Sequence, residues 1–331
     1  MNIFFSFVPV LLFLIILYMV DSFKLVRLNT LSACLAWGIL SALGSYFINT
    51  KLSGLLPFDL TTYSRYGAPL VEELMKAAIV IFLISRQKIG FTIDAIIYGF
   101  ASGTGFAIAE NLVYLIRLSD EPGLVLWILR GLGTALMHGG CTALLAMVIM
   151  VSIQSGKKPI TGFISGFLII YLIHSAFNHF LLNPYIQTLL IFTLLPLVFA
   201  IMFQKSNLML QDWLEIEFSN EVEILSMIMQ GKFTGTKAGE YLLSLKKHFK
   251  PEMIVDLYCY LSLYLELSLK AKRNLMLKEN GFGIPEENDL GEKLDELQKL
   301  RKMIGKVGEL AIQPLVRMKH RELWKLNQLK N

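Results

Sequence analysis

The sequence is short of charge over most of its length. Of its 31 Lys/Arg and 26 Asp/Glu, only 11 and 8 lie in residues 1–203, which leaves 20 and 18 for residues 204–331. With 54% apolar residues and a mean hydropathy of +0.55, this deficit excludes a soluble enzyme for the first part of the chain. It places that part in the lipid bilayer, among polytopic membrane proteins. Cysteine is scarce too: Cys34, Cys141 and Cys259 are an odd number set far apart, which excludes a disulfide framework or a zinc-ribbon spacing. The run from Asn2 to Val20 has no basic n-region and no small-residue cleavage site, so it reads as a retained first span and not a removed signal peptide. The net charge of +5 is mostly topological signal and does not argue for a nucleic-acid partner.

What is present is a succession of apolar segments. Asp21 ends the first, and further spans are expected at Leu31–Ile48, Pro69–Ile84, Thr92–Ile116, a fifth ending near Ser152, Ile160–Leu182 and Tyr185–Phe203. Each is near the ~20 residues that cross a bilayer. The expected fold class is all-α, a polytopic helical membrane bundle of about seven spans (residues 1–203) followed by a helical domain (residues 204–331). A fifth span starting at Leu124 would be overlong and would carry Arg130 into lipid. The expectation is therefore that Pro122 to Arg130 lies along the outer surface, that the span begins near Gly131, and that Arg130 snorkels at the interface.

Orientation follows from the short loops. Lys24 and Arg27, Arg86 and Lys88, Lys157 and Lys158, and Lys205 all fall on one side, which the Lys/Arg bias makes cytoplasmic. The opposite loops carry Lys51, Arg65, Arg117 and Arg130 but also Asp59, Asp120 and Glu121. An outside amino terminus and a cytoplasmic carboxy-terminal domain are expected.

Against this background Glu72, Glu73 and Lys76 stand out, because ionisable groups at membrane depth are rare and mark functional sites. At a rise of about 1.5 Å per residue, they share a level in the outer half of the membrane with Glu110, His138, and His174 with Asn178. Glu72 and Lys76 are four apart and Glu73 and Lys76 three apart, so either carboxylate can reach the ammonium. The two glutamates lie about 100° apart and cannot both point at one spot. His174 and Asn178 share a face. Gly99, Gly103, Phe106 and Glu110 form one stripe whose glycines admit a close neighbour, so Glu110 is expected to face a packed helix.

These motifs, E-E-x-x-K at Glu72–Lys76, F-x-x-x-E at Phe106–Glu110, the isolated His138 and H-x-x-x-N at His174–Asn178, resemble in order and spacing the PrsW family of intramembrane proteases. The resemblance covers roughly residues 65 to 185. That family sits in a wider group with the type II CAAX prenyl endopeptidases, the CPBP proteins and the Aph-type subunit of gamma-secretase. It implies a glutamate-dependent, metal-independent peptidase with no cofactor, with Glu72 as the water-activating base and His174 and Asn178 stabilising the oxyanion. The CAAX enzymes have E-E-x-x-x-R and F-x-x-x-H, so Lys76 and Glu110 fit the PrsW branch and argue against prenylated substrates. By analogy the substrate is a membrane-anchored protein, such as an anti-sigma factor, cut near its extracytoplasmic face.

The chemistry is consistent on its own terms, because peptide hydrolysis needs a base for water and donors for the developing oxyanion. Glu73 is expected to be held ionised by Lys76 while Glu72 and Glu110 compete for a proton beside the water. Four other readings stay open. Acids after Pro69 suit a helix amino terminus for structural reasons alone. A zinc site is available from His138, His174 and Glu110, although H-E-x-x-H is absent. A serine nucleophile at Ser102 is disfavoured, since Phe100-Ala101-Ser102-Gly103 lacks the glycine two places before the serine of the rhomboid signature. The same polar cavity also suits a non-catalytic scaffold or transporter. Phe106 reads as packing, and Asn111, Cys141 and His179 as support for their motif neighbours.

Beyond Gln204, apolar residues at helical spacing in Trp213–Met229, Tyr241–Phe249 and Met253–Leu269 predict amphipathic helices. A break at Gly281–Pro285 precedes another helix over Asp289–Lys306. No catalytic constellation occurs there. His248 and His320 read as surface residues, and the domain as a regulatory or docking module for a cytoplasmic partner.

Overall fold

The computed structural model describes residues 2–117, 123–285, 287, 289–315, 326 and 329, and the chain divides into two compact units, Met1–Asn207 and Leu208–Asn331. Among the described residues every regular element is helical, and the protein is an all-α membrane bundle. The membrane helices are α1 (Asn2–Met19), α2 (Leu28–Leu55), α3 (Ala68–Ser85), α4 (Thr92–Arg117), α5 (Ala135–Gln154), α6 (Pro159–Asn178) and α7 (Pro184–Met229). Among the described residues, six helical stretches are long and apolar enough to cross a membrane: Asn2–Val20, Leu28–Leu55, Thr92–Arg117, Leu124–Gln154, Pro159–Asn178 and Pro184–Gln211. The remaining one, α3, is set apart by its three ionisable residues, and it fits here because the bundle buries Glu73 and Lys76.

Helix α4 is the centre of the first unit, with Thr92 to Ala107 buried without a break. Glycines let its neighbours approach backbone to backbone. A Cβ on Gly38 of α2 would lie 2.0 Å from the Ser102 carbonyl oxygen, and one on Gly103 would lie 2.2 Å from that of His138 on α5. Because helical side chains lean toward their own amino terminus, the antiparallel α4 and α5 tilt Glu110 and His138 toward each other beyond this contact.

The third and fifth spans differ from expectation, and for one physical reason. The third begins earlier: Leu60–Thr62, capped by Asp59 Oδ2 on the Thr61 and Thr62 amides, leads through a π-helical turn at Tyr63–Gly67 into α3. Pro69 and the glutamates therefore sit inside a continuous helix, and the reading of these acids as first-turn partners of the macrodipole falls away. The fifth also begins earlier, at Leu124 and not near Gly131. Leu124–Leu129 and a π-turn at Arg130–Thr134 run straight into α5, giving one stretch of 31 residues. Arg130 turns inward instead of snorkelling, since a half-buried carboxylate and a buried amide are within its reach: its Nε donates to Asn111 Oδ1 at 2.9 Å, and its Nη2 lies 3.4 Å from Glu110 Oε1. Its guanidinium also stacks 3.6 Å from the Tyr114 ring centroid. The sixth helix ends at Asn178, and no break falls at Gln204 within α7. Asp120, Glu121, Pro122 and His320 lie outside the described residues.

The second unit contains α8 (Lys237–Ser244), α9 (Pro251–Glu279) and α10 (Leu290–Ile312). Leu257, Leu261 and Leu265 of α9 pack with Leu294, Leu297 and Ile304 of α10, the three-and-four spacing of an apolar stripe. Gly281 follows α9 at φ +73°, a left-handed stop. His248 is exposed.

Candidate active site

Five helices bring polar side chains together at one end of the first unit. On α3, Glu73 and Lys76 are completely buried, with Lys76 Nζ 2.6 Å from Glu73 Oε1. The same oxygen is 2.6 Å from His174 Nδ1 on α6, and Lys76 Nζ also lies 3.1 Å from His138 Nδ1 on α5 and 4.8 Å from the Phe106 ring centroid on α4. A buried charge persists only where it is paired, and Glu73 and Lys76 are each other's counter-ion. Phe106, expected as packing, also gives Lys76 an aromatic face.

Glu72, about 100° round the helix, has a different setting. Its side chain is 17% exposed, and Oε2 lies 3.6 Å from His174 Nε2. Oε1 is 3.5 Å from the Asn49 amide nitrogen, and Asn49 Oδ1 accepts from the Tyr63 hydroxyl at 2.9 Å. With His174 Nδ1 donating to the Glu73 carboxylate, its Nε2 faces Glu72 either as a lone pair or as a second N–H.

Glu110 belongs to a second cluster. His138 Nε2 lies 2.9 Å from Glu110 Oε2, and Arg130 completes the set. The rings of His138 and His174 meet edge to face with centroids 4.9 Å apart, which joins the two clusters. Each of these two carboxylates has its own histidine neighbour, Glu72 beside His174 and Glu110 beside His138.

Asn178 takes a place that its shared face with His174 did not foretell. Its side-chain nitrogen donates to the Ser64 carbonyl at 3.0 Å, and Ser175 Oγ donates to the Arg65 carbonyl at 2.7 Å. Both acceptors lie in the π-turn before Pro69, and a proline has no N–H for the carbonyl one turn back. Helix α6 supplies the missing donors and so fixes the turn that aims Glu72. Asn111 joins Ser6 O to Arg130, Cys141 is buried against Met137 and Ile170, and His179 Nδ1 lies 2.6 Å from Ser175 O. Ser102 is buried and its hydroxyl donates to the Lys76 carbonyl. Sequence reasoning missed Asn49, Tyr63 and the inward turn of Arg130; the one available signal was an asparagine directly after an apolar run.

The family model for the "PrsW family intramembrane metalloprotease" matches residues 27–203. Its description names a metal, and Glu72, His138 and His174 each offer one ligand atom, all within 4.8 Å of one another. Glu72 thus replaces Glu110 in the ligand set expected from sequence. Two histidines and a glutamate are a catalytic zinc set, and His174 is braced as a ligand would be, with Nδ1 on a carboxylate. His138 is not. An ammonium only donates, so Lys76 fixes His138 Nδ1 as an acceptor and leaves the ring proton on Nε2, turned toward Glu110. The donor types fit a metal, and the proton arrangement of His138 does not. No curated protein and no solved structure matches. With more than half of its length matched by that model, and with the E-E-x-x-K, F-x-x-x-E and paired-histidine elements on neighbouring helices gathered into one cluster, the chain belongs to the PrsW family and is an intramembrane protease.

Proposed function

We propose that the protein is a glutamate-dependent endopeptidase in which Glu72 is the base that activates water. The observation that carries this is the division of labour within Glu72-Glu73. Glu73 is fully buried and held by Lys76 and His174, whereas Glu72 has no Lys or Arg partner among the described residues, has a side chain 17% exposed and lies 3.6 Å from His174 Nε2. Water between Glu72 and His174 attacks the scissile carbonyl carbon and gives its proton to the carboxylate. The oxyanion takes a hydrogen bond from protonated His174 and from the Asn49 amide. As the C–N bond breaks, Glu72 passes the proton to the leaving nitrogen. Glu73 and Lys76 hold His174 in register, Glu110 and Arg130 hold His138 against it, and Asn178 acts through the Ser64 carbonyl as a positioning residue.

The substrate in this reading is a membrane-anchored protein, such as an anti-sigma factor, cut near its extracytoplasmic face. Lys24, Arg27, Arg86, Lys88, Lys157 and Lys158 mark the cytoplasmic end of the bundle, so the amino terminus is outside, the site opens to the outer leaflet, and residues 204–331 lie in the cytoplasm as a docking domain apart from the peptidase domain. The test is whole-membrane proteomics of wild type against Glu72→Gln. A single-pass protein that stops being shortened, at unchanged enzyme abundance, supports the assignment; full processing by the variant refutes it, and refutes equally a role for Glu72 in the metal reading below.

A second reading has the Glu72, His138 and His174 group in its favour, with His138 surrendering its Nε2 proton to become a ligand. Zinc chelation with metal analysis separates the two. Loss of cleavage on chelation, restored by zinc at one ion per chain, supports the metal reading, and retained cleavage by metal-free protein supports the first.

A further inference from the structure

A cavity of about 290 Å³ is lined by Leu56, Phe58, Thr62, Tyr63, Tyr66 and Gly67, and Tyr63 connects it to the site through Asn49. We propose that it is a specificity subsite that receives one large apolar side chain of the substrate, from the extended segment next to the scissile bond. This rests on the assignment of Glu72 as the base.

Three observations carry it. The lining is aromatic and aliphatic, with no charged residue among it. The chain around it is apolar as well: Phe58 of the lining is 54% exposed, and its sequence neighbours Leu55 and Leu60 are 79% and 74% exposed, as suits a pocket loaded from the membrane surface. The pocket is also wired to the chemistry, because Tyr63, only 5% exposed, forms a wall and donates through Asn49 toward Glu72 Oε1. Gly67 sets the position of that wall, since a Cβ there would come within 2.6 Å of the Tyr63 ring.

Size identifies the occupant. A helix with side chains is about 10–12 Å across, so the pocket holds no more than a few ångströms of its length. A leucine or phenylalanine side chain fits, and hydrolysis requires the segment to be extended at that point in any case.

The test uses the full-length protein in proteoliposomes and a panel of single-pass reporters that differ in one residue, with Ala, Leu, Phe or Asp moved through the segment outside the membrane anchor. At one position, kcat/KM for Phe or Leu should exceed that for Ala by about 10- to 100-fold, the range expected for burying one such side chain. Leu56→Trp, at a half-exposed loop residue where the bulk projects into the pocket, should cut this Phe-to-Ala ratio by about tenfold, and Phe58→Ala should relax it. A panel cut without preference, or a ratio that Leu56→Trp leaves unmoved, overturns the subsite. An equal fall for every reporter assigns the pocket to a lipid chain and overturns it too. The base reading fails separately: Glu72→Gln cutting at the wild-type rate with the preference intact removes the base and leaves the subsite standing.

Discussion

The Glu73–Lys76 pair is the feature whose removal is most readily weighed. Two unit charges 2.6 Å apart attract by roughly 6 kcal/mol at an effective dielectric constant near 20, against a desolvation cost of several kcal/mol for each ion. The intact pair is therefore close to neutral for stability, while a lone survivor is costly. Lys76→Met leaves Glu73 with only His174 Nδ1, and Glu73→Gln leaves the ammonium with a ring nitrogen and the Phe106 face. Each single variant should lose about 3–5 kcal/mol. The double variant leaves no unpaired charge, and its new side-chain amide still offers a carbonyl to His174, so its loss should fall short of the sum by about 3 kcal/mol. An ordinary hydrogen bond inside a membrane protein averages about 0.6 kcal/mol, so coupling of that size distinguishes an ion pair from polar packing. The assay is a double-mutant cycle on reversible unfolding in bicelles, followed by circular dichroism. Losses that add to within about 0.5 kcal/mol would refute the reasoning. The double variant should also remain inactive, since a neutral amide then replaces the carboxylate that holds His174 Nδ1.

Four further outcomes are expected. Glu72→Gln should lower single-turnover cleavage of a reconstituted substrate by about 10²–10⁴-fold, the usual worth of a general base, without altering the unfolding midpoint by more than a few degrees. Ser175→Ala should cost about 1 kcal/mol by orphaning the part-buried Arg65 carbonyl, and Asn178→Ala less, because the Ser64 carbonyl is exposed; in a Pro69→Ala background, which restores a backbone N–H, a urea titration should find the cost smaller. Gly103→Ala drives a methyl onto the His138 carbonyl and the Gly139 Cα; overpacking of this kind costs about 1–3 kcal/mol or more, and thermal denaturation should register it even though the residue bears no chemistry. In the second unit, hydrogen bonds from Lys270 and then Arg273 hold the Glu287 carboxyl below its ordinary range. A depressed carboxylate stabilises above its unfolded pKa of about 4.3 and loses that contribution as pH falls through the folded value. Exchange protection of α9 in the full-length protein should therefore be flat from pH 7 to 5, then fall in acid by more than in Glu287→Gln, and by well under 1 kcal/mol because the pair is largely solvated.

The helices were legible because lipid enforces apolar runs of defined length, and the site because ionisable residues in such runs have few reasons to be there. That Lys76 pairs with one of the two glutamates followed from spacing, and the fold selects Glu73; the close approach along Gly99 and Gly103 followed from spacing too. What spacing does not report is the choice among partners once several helices converge. Arg130 read as a surface residue because its carboxylate, Glu110, sits on another helix. Asn178 read as chemistry because the demand it meets, a carbonyl left open by Pro69, lies 114 residues away. Asn49 and Tyr63 are single polar groups with no pattern of their own, and only the fold makes them neighbours of Glu72. The two π-turns escaped because a wider turn carries no periodic signature in so short a stretch.

Those turns also set the angular phase of the site. A π-turn holds one residue more than the α-helical turn it replaces, so Glu72 to Lys76 and His138 are each rotated by about 100° from where an unbroken helix would present them. Deleting one residue between Tyr63 and Gly67 would leave every catalytic side chain in the sequence, shorten the span by only about 1.5 Å, and swing Glu72 away from His174. Insertion into the membrane and catalytic competence are thus separable by a change of register alone.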